Sequence, residues 1–156
     1  MNILVLGIGQ SMRRDDAAGL ETVRLWQVQY PLSAARVKVE FCNLPGLALL
    51  DSLAGMEAAV LVDAIRSSAP PGTVIRLGPD ELASFTPDSA SSHGWGIAET
   101  LHLGFSLYAW LAKCKITLFG IVGKDFELGA GLSPEVHSGV QKVVEWIDRE
   151  IQSLIN

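Results

Sequence analysis

Three features of this 156-residue sequence predict an α/β fold with a mostly parallel sheet. Ile3-Leu4-Val5-Leu6, Ala58–Asp63 and Lys115–Val122 are near-continuous apolar runs, the pattern of strands covered on both faces. Helical stretches lie between strands, in the βαβ rhythm that gives right-handed crossovers. The first strand runs into a glycine turn, Gly7-Ile8-Gly9, that opens a helix, and such a unit carries a ligand at its turn. The expected architecture is a single three-layer domain over residues 1–156. Its twisted, mostly parallel five-stranded sheet has one antiparallel edge strand and helices on both faces.

The elements follow in order. Strand one spans Asn2 to Gly7, and the first helix spans Asp16 to Tyr30, with Gly19, Val23, Trp26 and Tyr30 at helical spacing and Pro31 ending it. Strand two is Arg36–Cys42. After the loop Asn43-Leu44-Pro45-Gly46 comes a short helix, Leu47–Leu53, closed by Gly55. Strand three, Ala58–Asp63, ends in an acid. Ala69-Pro70-Pro71-Gly72 is a turn, and Thr73–Leu77 alternates like a half-exposed strand. No helix fits before it, so it is the antiparallel edge strand. Pro79–Ser92 is an irregular connection with a helical turn at Asp80–Ser84. Gly94–Ala112 is a long helix with Ile97, Leu101, Phe105, Tyr108 and Leu111 on one face. Strand five, Lys115–Val122, leads into the glycine-rich Gly129-Ala130-Gly131-Leu132. Ser133 then caps the last helix, with Pro134 at its first position and Val136, Val140, Val143, Val144, Ile147 and Ile151 along its apolar stripe to about Leu154.

Composition narrows the function. At 49% hydrophobic residues the chain has the material for one sizeable core. A net charge of −5 without a basic stripe argues against nucleic acid as partner. Cys42 and Cys114 match no metal spacing and read as reduced thiols in a cytoplasmic protein. The chain opens on its first strand, leaving no room for a signal peptide, and no apolar run reaches membrane-spanning length.

In an open α/β sheet, ligands bind beyond the carboxyl ends of the strands. Asp16, Asp63 and His93 all fall at that edge. Two carboxylates and an imidazole suit a borderline divalent cation and leave positions open for water or substrate. Each residue also has a purely structural use. Asp15 or Asp16 can cap the first helix, Asp63 can satisfy backbone donors at a strand end, and His93 can cap its helix or pack on Trp95. The coincidence of the three carries the argument. Two facing acids without a cation would repel, raising one pKa. His102 lies about half a turn out of phase with His93 and, like His137, takes a structural reading. Trp26, Trp110 and Trp146 fit apolar stripes, while Trp95 could line the site. No Gly-x-Ser-x-Gly elbow or Cys–His pairing indicates a covalent nucleophile.

The ordered set Ile3-Leu4-Val5-Leu6-Gly7-Ile8-Gly9, Asp15-Asp16, Gly19, Leu61-Val62-Asp63-Ala64, Ser92-His93-Gly94, Gly120-Ile121, Phe126, Gly129 and Leu132-Ser133-Pro134-Glu135-Val136 resembles the hydrogenase maturation endopeptidases. The likeness runs nearly the full length. It implies a single α/β domain, with Asp16, Asp63 and His93 as the metal-recognising site and as the residues on which cleavage depends. It also implies an enzyme that inspects nickel already loaded in a nickel–iron hydrogenase large-subunit precursor, zinc or cadmium being able to substitute, and then removes the C-terminal extension. Two departures stand out. Gln10 replaces the family's usual Asn, and Asn43-Leu44-Pro45-Gly46 replaces a common Asp-Gly-Gly-Thr stretch linked to substrate recognition.

The expected function is therefore a cytoplasmic, monomeric metal-dependent endopeptidase acting on that precursor, without nucleic acid or membrane insertion. The ion could polarise the scissile carbonyl, activate water or dock the substrate, or one aspartate could act as a general base. One competing reading is a Rossmann-like nucleotide-binding module, with Glu40 as the ribose-binding acid. Met12 in place of the third glycine and the acids at the helix mouth oppose it. A non-catalytic metal or hydrogenase maturation chaperone is the other.

Overall fold

A computed structural model describes residues 1–43, 46–85 and 96–156. Five strands form one sheet in the order β2-β1-β3-β5-β4. They are β1 (Ile3–Ile8), β2 (Lys38–Cys42), β3 (Ala58–Ile65), β4 (Val74–Leu77) and β5 (Lys115–Val122). β1 runs parallel to β2 and β3, and β3 parallel to β5, while β4 pairs antiparallel with β5 at the sheet edge. The helices are α1 (Ala18–Gln29), α2 (Pro31–Ala34), α3 (Leu47–Leu53), α4 (Pro79–Ala83), α5 (Gly96–Leu107) and α6 (Pro134–Ile155).

The uniform apolarity of β1 has the expected cause: all six residues are buried, because both faces are covered. Leu4, Leu6 and Ile8 point into a layer with Leu49 and Leu53 of α3, Leu82 of α4 and Ile97 and Leu101 of α5. Ile3 and Val5 point the other way, toward Val23 and Trp26 of α1 and the valine–isoleucine stripe of α6. The two layers follow from the period-two alternation of strand side chains. Cys42 is partly buried and Cys114 buried, both as thiols rather than a disulfide. Among the described residues no helix is long and apolar enough to cross a membrane.

Several boundaries differ from the sequence expectation, four of them for a reason the structure shows. The helix expected from Asp16 starts as a 3-10 turn, Arg14–Ala17, and becomes α-helical only at Ala18. Pro31 ends α1 but also begins α2, since a proline at the first helical position loses no needed N–H. β3 continues past Asp63, because Ala64 and Ile65 find partners in Ile121 and Val122. The helix expected over Gly94–Ala112 breaks at Tyr108, whose backbone is extended (φ −127°, ψ 106°), and continues as a 3-10 segment, Ala109–Lys113. The break turns buried Leu111 back against Gly104 of α5. Trp110, expected in the apolar stripe, is consequently 38% exposed.

Candidate active site

The site forms where β1 stops and β3 goes on. Val62 is the last β3 residue paired with β1, opposite Gly7, so Asp63 is the first residue beyond that pairing. On its other side Asp63 faces Gly120 of β5. Asp16 approaches from above, in the 3-10 turn after β1. Two glycines make this approach close. Gly9 has φ +148°, and a Cβ there would overlap the Asp16 carbonyl oxygen. A Cβ on Gly19 would overlap the carbonyl oxygens of both Val62 and Ile8. The first turn of α1 therefore sits directly on the carboxyl ends of β1 and β3.

The two carboxyls sense each other. Burial pushes the Asp63 carboxyl up to about 8, the charge of Asp16 adds to the rise, and the Ala64 N–H offsets part of it. Asp16 is partly exposed, and its Oδ2 accepts a hydrogen bond from the Gln10 N–H at 2.9 Å. Among the described residues no Lys or Arg forms an ion pair with either acid. Oxygen donors that repel one another and lack a cationic partner fit a cation chemically. His93, the third candidate, and Trp95 lie outside the described residues. Within the described residues no group of three His, Cys, Asp or Glu side chains gathers.

Asp15 has a different task from Asp16. It is fully buried, and its Oδ2 accepts from the N–H groups of Lys124 (2.8 Å) and Asp125 (2.9 Å) and from the Ser133 hydroxyl (2.7 Å). Its Oδ1 accepts from the Ser133 N–H at 2.7 Å. Burial alone would raise this carboxyl. The N–H groups of Ser133, Asp125 and Lys124, together with the Ser133 hydroxyl, outweigh burial and hold it below its ordinary value. Neither acid caps α1 with its side chain, since Ala17 holds that position. Ser133 does occupy the position before α6, but it makes no side-chain cap because its hydroxyl is given to Asp15. The sequence carries no local sign of this pairing.

Among the described residues neither remaining histidine joins Asp16 and Asp63 in a group that could hold a metal. His102 lines a cleft of about 360 Å³ with Leu82, Phe105 and Cys114. His137 is exposed at the start of α6, lining a cleft of about 640 Å³ with Glu21 and Arg24 of α1. At the turn of the nucleotide reading the Gln10 N–H donates to Asp16, and Glu40, its ribose-binding acid, is paired with Lys38 at 2.6 Å.

Comparison with known proteins agrees with this architecture. The family model described as hydrogenase maturation protease (HycI) matches residues 44–150. The hydrogenase 2 maturation protease of Escherichia coli is 29% identical over 148 residues, covering 94% of this chain and 88% of that protein. Among solved structures, the NiFe hydrogenase maturation protease HybD from Thermococcus kodakarensis superposes with a TM-score of 0.72 at 32% identity, over 97% of this chain and 99% of that one. The hydrogenase maturating endopeptidase HybD from E. coli gives 0.73 at 25% identity, over 98% and 93%. With its fold shared along nearly the whole length and a family match across more than half of the sequence, this chain belongs to the hydrogenase maturation proteases.

Proposed function

We propose that this chain is an endopeptidase that removes the C-terminal extension of a nickel–iron hydrogenase large-subunit precursor once nickel has been inserted. Asp16, Asp63 and His93 recognise the metal, and the nickel is part of the substrate. The observation that carries the proposal is the placement of the Asp16 turn directly on the ends of β1 and β3, where Asp16 acts on Asp63, a pair whose repulsion a divalent cation would relieve. Family membership supports the proteolytic half of the reading.

The chain's own groups supply the following steps. Near neutral pH the Asp63 carboxyl, raised to about 8, keeps its proton. Docking of a metal-loaded precursor would favour the ionised form and displace that proton, which a precursor without metal would not do. The Gln10 N–H holds one carboxylate oxygen of Asp16. Divalent metal at such a site supplies Lewis acidity toward a carbonyl or water. Either ionised carboxylate is also of the right chemical type to take a proton from an attacking water.

The test is incubation with nickel-loaded and nickel-free precursor followed by intact mass. Loss of a C-terminal fragment from the loaded form alone is expected, and Asp16→Asn, Asp63→Asn and His93→Ala should each suppress it by at least about a hundredfold in rate. A loaded precursor that binds tightly yet keeps its full mass would turn the reading into that of a non-catalytic maturation chaperone.

A further inference from the structure

We infer that Asp15 is a positioning residue for Asp16: it latches the loop over residues 123–133 to the turn after β1, and the latch sets where Asp16 stands relative to Asp63. The inference rests on the proposed function only for what Asp16 does.

The latch has two parts. The first is the Asp15 carboxylate, which meets four donors and no acceptor, from Lys124, Asp125 and Ser133. These partners lie 109 to 118 residues away along the chain. The second is a short run of backbone pairing. Arg14 N–H donates to Gly129 O at 3.1 Å, Gly129 N–H to Met12 O at 2.9 Å and Asp15 N–H to Asp125 O at 3.0 Å. Arg14 Nε also faces Asp125 Oδ2 at 3.4 Å.

This matters for Asp16 because of Arg14. Its φ is +48°, the left-handed region that a residue with a side chain holds only when its surroundings over-determine it. That conformation swings the chain into the 3-10 turn, where the Asp16 N–H donates to Arg13 O at 3.0 Å and the Asp16 carboxylate receives the Gln10 N–H. Loss of the Asp15 carboxylate leaves the loop-side hold on Arg14 to the backbone pairing and the Asp125 contact, and the weakened hold loosens the Asp16–Gln10 contact. A carboxylate is required. The amide of Asn would turn an NH₂ group toward N–H donors and leave at least one of them without an acceptor.

The experiment compares Asp15→Asn, Ser133→Ala and Ser133→Thr with the parent enzyme by two readouts. The first needs no activity: the amide resonance of Gln10, which reports its bond to Asp16. The second is cleavage of nickel-loaded precursor. Asp15→Asn should shift the Gln10 resonance and lower kcat about tenfold or more while KM stays within about threefold. Ser133→Ala, which loses one of the four donors, should lower kcat about threefold, and Ser133→Thr should restore it. A folded Asp15→Asn with an unmoved Gln10 resonance and parental kcat overturns the inference. If Asp15→Asn does not fold, equal kcat in the Ser133 pair overturns it instead. A parent enzyme that cleaves nothing defeats the proposed function, and the Gln10 resonance still decides the positioning role.

Discussion

Asp15 and Asp63 are the same side chain in opposite settings. Asp15 is ringed by N–H groups, so its burial costs little. Among the described residues Asp63 has the Ala64 N–H in its favour, with burial and the charge of Asp16 against it. Gly19 lets the first turn of α1, and Asp16 just before it, settle on the strand ends. Alanine there would drive a methyl into the carbonyl oxygens of Ile8 and Val62, which belong to two central strands and cannot move apart. Gly19→Ala should therefore cost about 1–3 kcal/mol, or more, in urea unfolding. A Gly19→Ala variant as stable as its parent would mean that helix and sheet are not packed this closely. Legibility differs sharply between these residues. Asp16 and Asp63 could be chosen from the sequence because strand ends mark one edge of an α/β sheet. The latch of Asp15 was not legible, because its partners lie more than a hundred residues on and include main-chain groups of ordinary residue types.

Strands were the most readable elements, since burial on both faces leaves an apolar run with little ambiguity. β5 and α6 lie where the pattern places them, and β4 is antiparallel because a proline–glycine turn, with no helix, precedes it. Ends were harder to place. β3 runs on because its partner β5 does, a pairing that no property of Asp63 announces. The break after α5 is a tertiary effect of the same kind. The residues from 96 to 112 keep helical periodicity, yet the chain gains more by folding Leu111 onto Gly104 and Leu50 than by another helical turn. That account makes Leu111 the anchor of the Ala109–Lys113 segment. Leu111→Ala should cost about 2–5 kcal/mol, read by chemical denaturation, and should loosen Trp110, whose fluorescence would shift. A cost below about 1 kcal/mol would place the cause of the break elsewhere.

At the scale of the whole molecule the two aspartates oppose each other in their pH dependence. A carboxyl held low in the folded state, as in Asp15, adds stability above the unfolded value near 3.8 that is lost as pH falls below it. A carboxyl held high, as in Asp63, works the other way. Between the ordinary value of 3.8 and about 8 the folded chain keeps a proton that the unfolded chain has released, so stability falls as pH rises through that window and then levels off. Asp63→Asn removes only this second effect. The stability of the parent relative to Asp63→Asn should therefore decline steadily from about pH 4 to pH 8, by at most about 1.4 kcal/mol per pH unit. Divalent cadmium or zinc should cancel the decline, because a cation stabilises the ionised pair and competes with the proton. The rise in Tm on adding cadmium should then be larger at pH 8 than at pH 5 in the parent and small at both in Asp63→Asn. Equal rises at the two pH values, or an unchanged response in the variant, would show that the metal binds somewhere other than between Asp16 and Asp63.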